Sequence, residues 1–150
     1  MTVTSSRVVR CPQCSTKNRV PDATHGTPRC ANCKHDLPWL VDASDTDFDQ
    51  IVDTSKLVLV DLWAAWCGPC RMVAPVLAKL SVEFAGRLKV VKVDVDRSPQ
   101  LAQRYRAQSI PMLLFLQDGQ VVRTVVGAQP EGTLRTMITS RLDAAGEPRA

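Results

Sequence analysis

Six cysteines occur in this 150-residue chain, and each belongs to a Cys-x-x-Cys pair: Cys11 with Cys14, Cys30 with Cys33, and Cys67 with Cys70. Thiols at this spacing can do two kinds of chemistry. As thiolates they ligate a soft metal, or they exchange between dithiol and disulfide. A disulfide scaffold would scatter its cysteines, whereas paired cysteines in a reducing compartment point to metal or redox work. Fifteen residues separate the first two pairs. Two knuckles at that separation can bring four thiolates into a tetrahedron, the geometry zinc prefers. The expectation is one zinc on Cys11, Cys14, Cys30 and Cys33, structural or redox-modulating. Two further dithiol–disulfide pairs are the alternative. His25 and His35 are spare ligands that four cysteines make unnecessary, and Arg10, Arg29 and Lys34 are expected to stabilise the thiolates.

The third pair lies in Trp66-Cys67-Gly68-Pro69-Cys70, directly after an apolar run and at the start of an amphipathic one. The first turn of a helix offers unpaired N–H groups and a positive dipole end. A thiolate at Cys67 would be stabilised there and made nucleophilic near neutral pH. Cys70, one turn on, can close a disulfide with it. The competing readings are inert buried thiols or half of another metal site, and no fourth pair exists to complete such a site. Asp61 stands inside the apolar run, bracketed by Val60, Leu62 and Trp63. An ionised carboxylate in such a setting is costly.

Several elements must position these groups. Leu57 to Ala65 reads as a strand buried on both faces. Met72, Val73, Val76, Leu77, Leu80 and Phe84 recur at helical spacing, which predicts an amphipathic helix over roughly 68–85, kinked at Pro75. Leu88 to Val95 alternates as a strand, and 98–106 reads as a helix. Met112 to Leu116 and Gln120 to Val126 are strands joined at Asp118-Gly119. Leu134, Met137, Ile138 and Leu142 mark a last helix. Before these, Phe48, Ile51 and Val52 form one face of a short helix capped by Ser44 or Asp45, with 37–47 as a connector. The order α-β-α-β-α-β-β-α implies an α/β fold with a mixed central sheet flanked by helices. Residues 1–40 are too polar to fold on burial alone and need a metal staple. Within them, Arg7–Arg10 and Asn18–Pro21 can form short ribbon strands. The domain reading is a zinc-binding, ribbon-like module over 1–40 and a second domain over 41–150, the second having its own core and staying folded if zinc loss unfolds residues 7–40.

Residues 57–77, LVLVDLWAAWCGPCRMVAPVL, resemble the active-site strand and helix of the thioredoxin family. The likeness runs over about 44–145. It takes in Ser109-Ile110-Pro111, Asp118-Gly119 and Gly127-Ala128. Residues 10–40, with CPQC, NRVP, CANC and LP, resemble the N-terminal extension of the zinc-containing thioredoxin-2 subgroup of bacteria. The resemblance implies a thioredoxin fold and a protein-disulfide reductase. Cys67 would be the attacking thiol, Cys70 the resolving thiol, and Asp61 a buried carboxylate relaying a proton for Cys70. Lys92 matches the family lysine near that carboxylate, though an ordinary exposed strand lysine reads nearly as well. A cis peptide at Pro111 is implied, with Trp66, Gly68, Pro69, Ile110, Pro111, Gly127 and Ala128 forming the substrate surface. The implied partners are disulfide-containing proteins and an NADPH-dependent thioredoxin reductase, with no organic cofactor. Met112 departs from the family's usual threonine and Arg71 from its usual lysine. Met112 is expected to fill the core.

The composition limits the rival functions. Hydrophobic residues make up 45% of the chain, enough for a real core. No apolar run reaches the eighteen residues that span a bilayer, and the polar N-terminus lacks a leader's apolar segment, which together suggest a cytoplasmic protein. The net charge of +4 sits wholly in residues 1–40, with six Lys/Arg against Asp22 and Asp36. A basic module suggests nucleic acid, but four thiolates on zinc would offset part of that charge, and no aromatic residues interleave it for stacking. A zinc-released redox sensor is the other rival.

Overall fold

The computed structural model describes residues 5–144. The expected module and domain limits at residues 1 and 150 lie outside them. A two-stranded antiparallel ribbon comes first, β1 (Ser6–Arg10) with β2 (Lys17–Pro21). There follow β3 (Leu40–Ala43), α1 (Phe48–Ile51), β4 (Leu57–Trp63), α2 (Gly68–Glu83), β5 (Leu88–Asp94), α3 (Pro99–Arg104), β6 (Met112–Gln117), β7 (Gln120–Val126) and α4 (Glu131–Ala144). The five-stranded sheet has the order β3-β5-β4-β6-β7. The β3–β5 and β4–β5 pairs are parallel, and β4–β6 and β6–β7 are antiparallel. This is the mixed sheet of a thioredoxin fold with an additional ribbon.

Strand β4 (LVLVDLW) is buried along nearly its whole length because both sheet faces are covered. On one face Leu57 and Leu59 pack with Val73, Leu77 and Leu80 of α2 and with Leu134 and Ile138 of α4. On the other, Val58, Val60 and Leu62 pack with Phe48 and Ile51 of α1, Leu101 of α3 and the ribbon module. Strand alternation places Asp61 on the α2 face with Leu57 and Leu59. The β6–β7 turn has φ of 52° at Asp118 and 79° at Gly119, the left-handed pair a type I′ hairpin requires. Pro75 lies inside α2 without ending it.

Three expectations are corrected. Residues 37–47 are not merely a connector, for they contain β3, paired with β5 from Leu40↔Val90 to Ala43↔Val93. Neither Ser44 nor Asp45 caps α1, whose N-cap residue is Asp47. Asp45 caps α3 instead, accepting from the backbone N–H of Gln100 (3.1 Å) and Leu101 (2.9 Å). Met72 points to solvent rather than into the α2 apolar face and is 72% exposed. Met112, by contrast, packs against the core.

The ribbon module shares buried residues with the sheet. Cys11, Val20, Cys30 and Leu37 belong to the same buried cluster as Val41, Phe48, Val58 and Val91. Trp39 donates from Nε1 to the Pro21 carbonyl (3.1 Å). Lys89 reads as the polar half of the β5 alternation, yet it is fully buried. Its ammonium donates to the carbonyls of Asp22 (2.5 Å) and Ile51 (2.7 Å) and sits 3.8 Å from the centre of the Trp39 ring. Burial pulls its pKa down to about 8, with Asp22 acting the other way.

Candidate functional site

The site is built where β4 runs into α2. Cys67 is the N-cap residue of α2, in extended backbone conformation (φ −88°, ψ 110°), and Gly68 and Pro69 open the helix. Pro69 suits the first turn because its missing N–H has no intrahelical partner to lose. Cys67 and Cys70 are joined as a disulfide with Cα atoms 5.3 Å apart. The backbone N–H of Cys70 points at Cys67 Sγ from 3.2 Å. That N–H and the helix dipole would favour negative charge on Cys67 sulfur once the disulfide is reduced. The two sulfurs are largely covered, the residues being 4% and 2% exposed.

The cover comes from a loop far away in sequence. The Ile110–Pro111 peptide bond is cis, and the Ile110 carbonyl oxygen lies 3.7 Å from Cys67 Sγ. Ile110 packs on Ala64, Cys67 and Cys70. Gly127, with φ +96°, donates its N–H to the Pro111 carbonyl (2.8 Å), which fixes the end of β7 against this loop. Ala128 next to it is exposed. Trp66 is 68% exposed, with Nε1 donating to Asp96 Oδ2 (3.0 Å). Trp66, Met72 and Val126 leave large apolar surface open to solvent, a composition suited to an apolar partner surface.

Asp61 is completely buried, and neither carboxylate oxygen has a hydrogen-bond partner among the described residues. Burial pushes its pKa up to about 6, with the charge of Lys92 pulling it down. Lys92 is the register partner of Asp61 across β4–β5. It is half-buried, with Nζ 4.8 Å from the centre of the Trp63 ring.

A second cluster lies in the ribbon module. The Sγ atoms of Cys11, Cys14, Cys30 and Cys33 all lie within 4.8 Å of one another. Cys11 and Cys33 sulfurs are 3.6 Å apart, as are those of Cys14 and Cys30. A tetrahedron of thiolates around zinc needs sulfurs about 3.8 Å apart. The two knuckles repeat each other. Ser15 N–H donates to the Cys11 carbonyl and Lys34 N–H to the Cys30 carbonyl, both at 2.9 Å, with φ of 66° at Ser15 and 68° at Lys34. Gln13 N–H points at Cys11 Sγ (3.3 Å) and Asn32 N–H at Cys30 Sγ (3.4 Å). Asn18 links the knuckles by donating to Thr16 O and accepting from Ala31 N–H. The Thr16 hydroxyl and backbone, followed by the Asn32 amide, hold the Cys14 thiol down at about 5. The four cysteines can therefore hold a metal ion. Arg10, Arg29 and Lys34 do not serve the sulfurs, since they bind Ser15 O, Asp36 and Ala31 O respectively. The support comes from backbone N–H groups and the Asn32 amide, because those groups lie inside the turns. His25 and His35 stand outside the cluster and are exposed.

A family model described as thioredoxin matches residues 39–140. The chain belongs to the thioredoxin family. Curated thioredoxins of Staphylococcus aureus strains Mu50, MW2 and N315 are each 45% identical to it over 103 residues, covering 69% of this chain and 98% of theirs. As a thioredoxin-family protein it is a thiol–disulfide oxidoreductase.

The thioredoxin match leaves residues 5–38, with the four-cysteine cluster, outside it. Asp96, which ties down Trp66, and the exposed Met72 had no signal of their own in the sequence. Asp96 sits in a turn thirty residues away, and Met72 has the same residue type as a core position. No helix among the described residues is long and apolar enough to cross a membrane.

Proposed function

We propose that this chain reduces disulfide bonds in protein substrates, and the observation that carries the reading is the Cys67–Cys70 disulfide at the N-terminus of α2 beneath the Ile110–Pro111 loop. In the dithiol form, Cys67 thiolate attacks one sulfur of a substrate disulfide. A bond forms between Cys67 and that sulfur, and the other substrate sulfur leaves as a thiolate that takes a proton from water. Cys70 then gives up its proton, with Asp61 as acceptor, and attacks Cys67 sulfur. The mixed disulfide breaks, the second substrate sulfur leaves as a thiolate, the proton held by Asp61 is returned to it by way of solvent, and the two electrons have passed from the dithiol to the substrate. Lys92 holds the Asp61 carboxylate in its working range. Trp66, Gly68, Pro69, Ile110, Pro111, Gly127 and Ala128 supply the surface for the substrate chain, and backbone beside Pro111 is available to pair with it. An NADPH-dependent thioredoxin reductase restores the dithiol, and the compartment is the cytoplasm. The test is reduction of insulin disulfides by the full chain with dithiothreitol as electron source. A rate no higher than with dithiothreitol alone would remove the reading.

The cysteine cluster fits zinc, since its donors are all sulfur, its separations suit a tetrahedron, and N–H groups point at the sulfurs. Zinc there would hold the knuckles together, with no part in the electron transfer. Reduced protein prepared without chelator is expected to contain about one zinc per chain. The shared core alters what its loss should do. Removing it is expected to unfold the ribbon and also to lower the melting temperature of the remainder, because Val20, Leu37 and Trp39 no longer cover Val41 and Phe48. Metal analysis before and after a strong chelator, with thermal melts, checks both statements. Absence of zinc from the reduced protein would count against the site.

A further inference from the structure

The two faces of the β1–β2 ribbon differ sharply. Val9 and Val20 lie on the inner face, Val20 being 2% exposed. The outer face carries Val8, Arg10, Lys17 and Arg19, all exposed. Register places Arg10 directly opposite Lys17 and Val8 directly opposite Arg19. Like charges directly opposite one another on a ribbon are destabilising. Among the described residues, none of these three cations has a carboxylate partner. Arg10 binds the Ser15 carbonyl, and Arg19 binds the Ser6 hydroxyl. Arg7 on the inner side is different, being paired with Asp22 and Asp42. Val8, at 56% exposure, is an apolar residue in the middle of the cationic group. A local arrangement of like charges that costs stability and is not offset by any carboxylate points to a surface with another purpose.

We propose that this outer face is a docking surface for an acidic segment of a partner protein. Charge complementarity selects an anion: three unpaired cations on one small face steer and hold carboxylates. Val8 selects a protein anion over a nucleic acid, because it offers contact to an apolar side chain lying between carboxylates and nothing to a phosphate backbone. The face also lacks the aromatic side chains on which bases stack. The ribbon is separate from the disulfide surface in sequence and in its core contacts. A partner whose linker spans the distance to Cys67 would present its own disulfide there at raised effective concentration. The choice of a protein partner agrees with the disulfide-reductase reading, whereas the binding itself does not depend on it.

The test uses the full zinc-loaded chain and a fluorescein-labelled peptide of four Glu-Val repeats, followed by anisotropy at low and at moderate salt. Saturable binding at low salt is expected, weakening as salt rises. The triple variant Arg10→Gln, Lys17→Gln, Arg19→Gln should lose at least tenfold in affinity, and Val8→Ser a few-fold. Arg123→Gln, which removes an exposed cation from β7, should change nothing. Insulin reduction and zinc content of every variant should equal the parent's, which separates failure of docking from failure of folding or of the redox reading. No binding of the peptide at low salt would overturn the proposal. So would equal loss from Arg123→Gln, which indicates net charge alone, or tighter binding of a duplex oligonucleotide than of the peptide, which would assign the face to nucleic acid.

Discussion

Cys67→Ser is expected to lose disulfide reduction by at least about a thousand-fold, because it removes the nucleophile rather than weakening it. Cys70→Ser is expected to fail differently. Cys67 can still attack, but nothing resolves the product, so the protein accumulates as mixed disulfides with its substrates. The asymmetry comes from position. Cys67 is the helix N-cap, with a backbone N–H 3.2 Å from its sulfur, while Cys70 lies within the first turn of the helix. The measurement is insulin turnover for both variants, with mass spectrometry of adducts captured from cell extract. Comparable adduct yields on Cys70 in the Cys67 variant would mean that the roles are misassigned. The same capture experiment names the substrates.

Asp61→Asn should act on stability and on catalysis in opposite directions. The carboxyl has a pKa of about 6 in the folded protein against 3.8 when exposed, chiefly through burial. A folded-state pKa above the unfolded value means that the native state binds the proton more tightly. Stability of the parent therefore falls as pH rises from about 4 to about 6 and stays lower above that. The two-unit difference corresponds to roughly 2–3 kcal/mol of destabilisation at neutral pH. Asparagine keeps the shape and removes the charge, so the variant should be more stable by about that amount at pH 8 and nearly equal at pH 4. Denaturant melts at the two pH values read this difference. Turnover should fall, with the loss confined to the step in which Cys70 attacks the mixed disulfide, since Cys67 needs no proton acceptor once it is a thiolate. Stopped-flow kinetics separate the steps. Unchanged resolution together with equal stability at pH 8 would remove Asp61 from the proton path.

The elements that carry strong local signals were readable from sequence. β4 is seven residues of nearly unbroken apolar character, α2 shows a clear helical period, and Asp118-Gly119 is a hairpin turn with its own backbone requirement. The four clustered cysteines were readable because metal-ligand spacing is local within each knuckle. What was missed is non-local. β3 is four residues long and becomes a strand only because β5 lies beside it. Asp45 looks like a cap for the helix that follows it, yet it serves α3, fifty-five residues on at Gln100. Lys89 occupies what reads as a solvent-facing strand position, and only the return of Trp39 and the Asp22 loop over it makes the site interior. Arg10, Arg29 and Lys34 are near the sulfurs in sequence but bind other groups, while the turns supply their own N–H donors.

The closed environment of Lys89 makes the chain report on its own assembly. An amine held between two carbonyls under an indole ring is out of reach of acylating reagents for as long as the ribbon covers it. Acylation at Lys89 would therefore count the molecules whose ribbon has lifted away, one covalent mark per opening. Lys17, exposed on the ribbon itself, would be labelled in every molecule and so provide the internal standard. The ratio of the two labels, read by peptide mass after a short pulse, would follow seating of the ribbon in a mixture or an extract, where melting curves cannot be measured.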